Sequence, residues 1–137
     1  MDKPNIKGFT CGSFDLFHAG HVAMLAECKK HCNYLIVGIQ TNPHIDRKEK
    51  NKPVQTIIER QVQVKACKYV DETIVYETEK DLLLLLSLLD INIRFIGQDW
   101  KSGNITGGDI CERRKIHIHY NTRYHNLSTS ELRQRIK

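Results

Sequence analysis

Apolar positions in this chain come in strand-length runs separated by helical patterns. Residues 34–40, YLIVGIQ, are a continuous apolar run, as expected of a strand buried on both faces of a parallel sheet. Residues 6–10 make a shorter strand ahead of it. Residues 11–17, a loop rich in small residues, feed a helix from about Ala19 to Lys30, so the first βαβ unit is complete by Gln40. Residues 41–53 are polar, lysine-rich and carry two prolines, which predicts a mobile loop. A helix then resumes over 56–65, with Thr56 as N-cap and Glu59 three residues on. Strands follow at 74–76, 94–96 and 116–120, with His117 and His119 on one face of the last. Between them lie a leucine-rich helix over 79–89, a loop opened by Gly97 and a short helix over 109–114. Ser128 with Glu131 is a capping box for a final helix through Ile136. Strands alternating with helices at this spacing predict an α/β fold, an open parallel five-stranded sheet with helices on both faces.

The chain's 137 residues suit one domain, and 40% hydrophobic with 27% charged residues is the balance of a water-soluble globular protein. MDKPNIKGF shows no secretory or transit signal, so a cytoplasmic location is expected. The longest apolar stretch, residues 82–89, is far too short to cross a bilayer, and no membrane insertion is expected. Cys11, Cys28, Cys32, Cys67 and Cys111 are odd in number and contain no C-x-x-C pair, which favours reduced thiols over disulfides or zinc. The net charge of +5 points to anionic partners. Its basic clusters, at 47–52 and 113–115, are not interleaved with aromatic residues, so small phosphates are expected as ligands and nucleic acid is not.

The chemistry concentrates in GSFDLFHAGH, residues 12–21. Ligands of open α/β sheets bind beyond the strand ends, and the first strand-loop-helix is a favoured phosphate cradle. Gly12 and Gly20 permit close backbone approach, and the N–H groups opening the helix attract anions. His18 and His21, three apart, can face one phosphate. His31, His44, His117, His119 and His125 lack such a setting and read as surface or core residues.

This stretch is similar to the G-T-F-D-x-x-H-x-G-H signature of the cytidylyltransferases, part of a nucleotidyltransferase superfamily that shares H-x-G-H with class I aminoacyl-tRNA synthetases. KYVDETI (68–74) resembles the family's R-Y-V-D-E-V, and GQDW (97–100) its G-D-D-W. RYHNLSTSELRQRI (123–136) resembles its terminal R-T-E-G-I-S-T and following helix. Spacing and length are similar to the glycerol-3-phosphate cytidylyltransferase type over nearly the whole chain.

The resemblance implies a single Rossmann-like nucleotidyltransferase domain over residues 1–137. The implied reaction is attack of a phosphate monoester on the α-phosphate of CTP, releasing pyrophosphate and a CDP-alcohol such as CDP-glycerol for cell-surface polymers or lipids. The nucleophile is already anionic, so the site needs alignment and charge neutralisation rather than a base. By the resemblance His18, His21, Lys48, Lys50 and Arg123 are the catalytic residues, with Lys52 an alternative to the other loop lysines. The nucleotide is implied to meet Gly12, Ser13, Phe14, Asp15, Gly20, Arg60, Gly97, Asp99, Trp100, Ser128 and Thr129. Magnesium is implied with CTP, without named ligands, and the Y-V-D-E segment implies a homodimer.

The chain departs from the family pattern where Tyr124, His125, Asn126 and Leu127 replace T-E-G-I, where Lys68 replaces an arginine, and where Gln98 replaces an acid. These changes leave the acceptor open between glycerol 3-phosphate and ethanolamine, choline or sugar-alcohol phosphates. An adenylyltransferase and a non-catalytic nucleotide-binding module are the other readings.

Overall fold

The computed structural model describes residues 5–97, 105–122 and 134–136. Five strands, β1 (Lys7–Gly12), β2 (Tyr34–Gln40), β3 (Glu72–Tyr76), β4 (Ile93–Gly97) and β5 (His117–Asn121), form one all-parallel sheet in the order β3-β2-β1-β4-β5. Four helices alternate with them: α1 (Ala19–Lys30), α2 (Ile57–Ala66), α3 (Glu79–Leu88) and α4 (Gly108–Arg113). This is the Rossmann-like α/β class expected from the alternation. Among the described residues no helix is long and apolar enough to cross a membrane.

Strand alternation divides the interior into two cores, one per face of the sheet. Leu35, Val37, Ile39, Ile93 and Phe95 point to one face and pack with Leu25 and Cys28 of α1 and Val64 of α2. Phe9, Ile36 and Tyr76 point to the other and pack with Leu82 and Leu86 of α3 and Cys111 of α4. β2 contributes to both cores and is buried from Leu35 to its end, as its unbroken apolar run requires.

The ends of the elements have local causes. Thr56 Oγ1 accepts from Glu59 N and Glu59 Oε1 from Thr56 N, the reciprocal cap read from the sequence. Thr78 and Asp81 make a second such box at α3 that sequence reading passed over. β1 runs through Cys11 and Gly12, residues expected in the loop, because its register carries them alongside Gly38 and Ile39 of β2. Asp71 closes the N-terminal side of β3: its carboxylate accepts from Leu35 N at 2.8 Å and pairs with Lys29, while Tyr34 Oη donates to Glu72 at 2.7 Å. All five cysteines are free thiols.

From β1 the chain steps outward through β2 to β3, then crosses back to β4 and β5. The reversal lies between β1 and β4, where a parallel sheet opens a crevice at its C-terminal edge.

Candidate active site

The loop after β1 takes an unfavourable path. Phe14 and Leu16 hold left-handed φ values of 53° and 51°, a region side-chain-bearing residues avoid unless their surroundings compel them. Three side chains compel it. The Asp15 carboxylate accepts from Val54 N at 2.8 Å and Gln55 N at 2.9 Å, and Gln55 Oε1 accepts in return from Leu16 N at 2.8 Å. Arg60, only 2% exposed, donates through Nε to Gln55 O at 3.2 Å. Its Nη1 donates to Ser13 O at 3.0 Å and Gln40 O at 2.6 Å, and its Nη2 to Thr41 O at 2.6 Å.

The loop delivers two imidazoles to the start of α1. His18 is the N-cap, its Nδ1 accepting from Gly20 N at 3.0 Å; His21 Nδ1 accepts from His18 N at 3.2 Å. An Nδ1 that accepts carries no proton, so in each neutral ring the proton sits on Nε2. The rings stack with centroids 3.9 Å apart, and Phe17 stacks on the other face of His21 at 5.4 Å. Burial lowers the pKa of His18. Burial and the neighbouring His18 bring His21 down to about 4, against the opposing pull of Asp15. At neutral pH both residues are therefore uncharged, each with its Nε2–H available to donate.

A cleft of about 300 Å³ opens along the C-terminal edge of the sheet, lined by Gly12 and Ser13, by Gly97 and by Lys50 and Arg47 of the loop after β2. Met24, one turn beyond His21 on α1, is also in its wall. The side of the cleft toward α3 holds Tyr76, Glu79, Leu82 and Arg94. Arg47 pairs with Glu79, whose backbone N–H in turn donates to Asp46 at 2.6 Å.

Of the expected site residues, Gly12, Ser13, Lys50 and Gly97 line this cleft, while His18, Gly20 and His21 open the helix whose Met24 is in its wall. Five other expected site residues have settings of their own. Phe14 is 3% exposed and packs its ring in the α1–α2 core. Asp15 spends both carboxylate oxygens on backbone N–H groups, and Arg60 spends four of its five N–H donors on carbonyls. Both shape the loop after β1. Lys48 and Lys52 are solvent-exposed and do not line the cleft. Asp99, Trp100, Arg123, Ser128 and Thr129 lie outside the described residues. Sequence reading missed Arg94, Tyr76 and Asn121 in the cleft wall; the available signal was an arginine in the otherwise apolar IRFI of a central strand.

The sequence profile of the cytidylyltransferase-like family matches residues 9–135, nearly the whole chain. The chain belongs to the cytidylyltransferase-like family. Among its relatives, the bifunctional protein HldE of Mesorhizobium japonicum is 32% identical over 108 residues, covering 77% of this chain and 21% of that protein. HldE of Campylobacter jejuni is 32% identical over 130 residues, 94% of this chain and 27% of that protein. The ethanolamine-phosphate cytidylyltransferase of Arabidopsis thaliana is 38% identical over 76 residues, 53% of this chain and 18% of that enzyme. The chain therefore spans about a fifth to a quarter of the length of these family members. A solved structure described as a lipopolysaccharide core biosynthesis protein of Thermoplasma volcanium has the same fold. Its TM-score is 0.71 at 21% identity, over 87% of this chain and 98% of that one.

Proposed function

We propose that this protein transfers a cytidylyl group from CTP to a small phosphorylated alcohol, with glycerol 3-phosphate the first candidate, releasing pyrophosphate. The observation that carries the reading is the pair of neutral imidazoles at the N-terminus of α1, with both Nδ1 atoms engaged by backbone and both Nε2–H groups left as donors, on the helix whose Met24 lines the cleft. Such donors suit phosphoryl oxygens, whose charge grows as the leaving group departs.

In the proposed step an acceptor phosphate oxygen attacks the α-phosphorus of CTP. The bond to the bridging oxygen breaks, and pyrophosphate leaves with the electron pair. The acceptor is an anion at neutral pH, so no protein base is needed. His18 and His21 bind the phosphate chain and stabilise the charge developing on it, and the N–H groups of the first turn of α1 add to the same field. Lys50, in the cleft wall, offers a mobile positive charge to the triphosphate or the acceptor. The strained loop fixes the histidines in place before substrate arrives, which spares reorganisation during the reaction.

Magnesium would travel with the triphosphate and neutralise part of its charge. Among the described residues no group of three or more His, Cys, Asp or Glu is placed to hold a metal. Both Asp15 oxygens accept from backbone, and Glu79 is paired with Arg47, so the triphosphate oxygens themselves are the fitting ligands. We further propose a homodimer across the outer side of β3 and α2, where Ile58, Val62 and Val75 are exposed at 69%, 63% and 39%.

The similarity to the Arabidopsis ethanolamine-phosphate cytidylyltransferase favours a second acceptor, ethanolamine phosphate. Pyrophosphate release from CTP, and separately from ATP, against glycerol, ethanolamine, choline and sugar-alcohol phosphates tests the reading. Release that requires CTP and one acceptor supports it. Release with ATP alone contradicts the nucleotide assignment, and tight CTP binding with no release from any acceptor makes the chain a binding module.

A further inference from the structure

Arg94 is the second residue of β4, paired with Phe9 of β1 on one side and Ile118 of β5 on the other. It alternates with Ile93 and Phe95, which enter the α1–α2 core, so its own side chain lies on the α3–α4 face. It is 5% exposed and lines the cleft. Its hydrogen bond runs from Nη1 to the carbonyl of Thr106. That carbonyl is presented by Gly107, whose φ of 79° admits the turn and whose missing Cβ would stand 2.3 Å from Leu86. Among the described residues no carboxylate forms an ion pair with Arg94; the nearby Glu79 is paired with Arg47. The Arg94 guanidinium also interacts with the thiol of Cys11, and both residues line the cleft.

A buried guanidinium whose partners, the Thr106 carbonyl and the Cys11 thiol, are both neutral is costly, and a charge of this kind is normally matched by an opposite one. Among the described residues, the cleft is the open space that Arg94 lines. We propose that Arg94 is the floor of an oxyanion-binding subsite, distinct from the histidine loop, that takes a phosphate or carboxylate group of the acceptor. The wall around it fits an acceptor rather than a flat base: Tyr76 and Cys11 are polar neighbours, while Leu82 and Ile105 can cover a short carbon chain. Cys11 itself is held protonated by burial, so it adds no competing negative charge. A planar fork of N–H donors is the group best shaped for such an oxyanion. This rests on the cleft being the substrate site, as in the proposed function, and adds the residue that would select the acceptor by charge.

The test uses inorganic phosphate as probe and thermal unfolding as readout, on the wild type, Arg94→Met, Arg94→Lys and the double variant His18→Ala/His21→Ala. The expected result is a phosphate-dependent rise in Tm that the histidine variant keeps in part, Arg94→Lys keeps in part and Arg94→Met loses most of. Without phosphate, Arg94→Met is expected to unfold at or above the wild-type temperature, since an uncompensated buried charge has been removed. An unchanged phosphate response in Arg94→Met, no response in the wild type, or a marked loss of stability in both Arg94 variants without phosphate would overturn the inference. The last result would make Arg94 a strut for Thr106 only. No nucleotide enters this experiment, so it can fail while pyrophosphate release succeeds, and the reverse. In turnover with CTP, Arg94→Met should raise the acceptor KM by about tenfold or more while leaving the CTP KM unchanged, as loss of one charge-assisted contact predicts.

Discussion

Two buried arginines, Arg60 at 2% exposure and Arg94 at 5%, mark the two faces of this sheet and are used in opposite ways. Arg60, on the α1–α2 face, is bound by four carbonyls contributed by Ser13, Gln40, Thr41 and Gln55. Arg94, on the α3–α4 face, has the carbonyl of Thr106 and an open cleft. The contrast teaches that burial alone does not say what an arginine is for. A guanidinium whose donors are spent inside the protein shapes a site, and one that lines a cleft is the one proposed to meet a ligand. The same division separates Asp15, which holds backbone, from the histidines it helps to position.

The largest expected effect lies at the two histidines that open α1. His18→Ala and His21→Ala should each lower kcat about 10²- to 10³-fold, the usual loss on removing one donor to a developing charge. Near-normal turnover in a folded variant would remove the histidines from the mechanism. His18→Ala should also cost about 1 kcal/mol of stability as a lost N-cap, readable in a denaturant titration.

Arg60→Met should destabilise by about 3 kcal/mol, because buried carbonyls from several chain segments lose their donor together. If urea unfolding shows Arg60→Met and Arg94→Met equally costly, the distinction between a structural and a ligand-facing arginine collapses. Gly107→Ala is expected to cost about 1–2 kcal/mol, from the left-handed φ and the clash with Leu86. It should also weaken phosphate binding by moving the Thr106 carbonyl that anchors Arg94. Normal stability with normal phosphate response would show that this turn does not position Arg94.

The smallest effect is in pH dependence. His21 titrates at about 4 when folded and at 6.5 when unfolded, so between these values the unfolded chain binds the proton and the native protein does not. Its contribution to stability is therefore complete above pH 6.5 and is lost as pH falls toward 4. Turnover should show no imidazole titration between pH 6.5 and 8, because the neutral Nε2–H is the working form. A rate that falls with an apparent pKa near 6.5 as pH rises would mean that an imidazolium is required.

Much of this was legible in the chain. YLIVGIQ gave β2 residue for residue, and Thr56 with Glu59 gave the cap of α2, because continuous apolar runs and capping boxes are local signals. H-x-G-H placed both histidines at a helix start for the same reason. The role of Arg60 was not legible, since its partners are backbone carbonyls as far as 47 positions away that carry no side-chain signature. Phe14 and Asp15 belong to the motif yet support it from within: one fills the core, and the other ties the loop to the turn before α2. Arg94 was visible as a charge inside a strand, but only the sheet order shows that this strand borders the crevice.

The most direct test of the account follows the α-phosphorus itself. CTP labelled with ³²P at the α position is incubated with magnesium, glycerol 3-phosphate and either wild-type protein or His18→Ala/His21→Ala, and the products are separated. The account predicts that the α label moves into an acceptor-dependent product while a γ label leaves in pyrophosphate, and that the double variant abolishes both. A γ label released as single phosphate, with the α label remaining in CDP and no acceptor-dependent product, would contradict it.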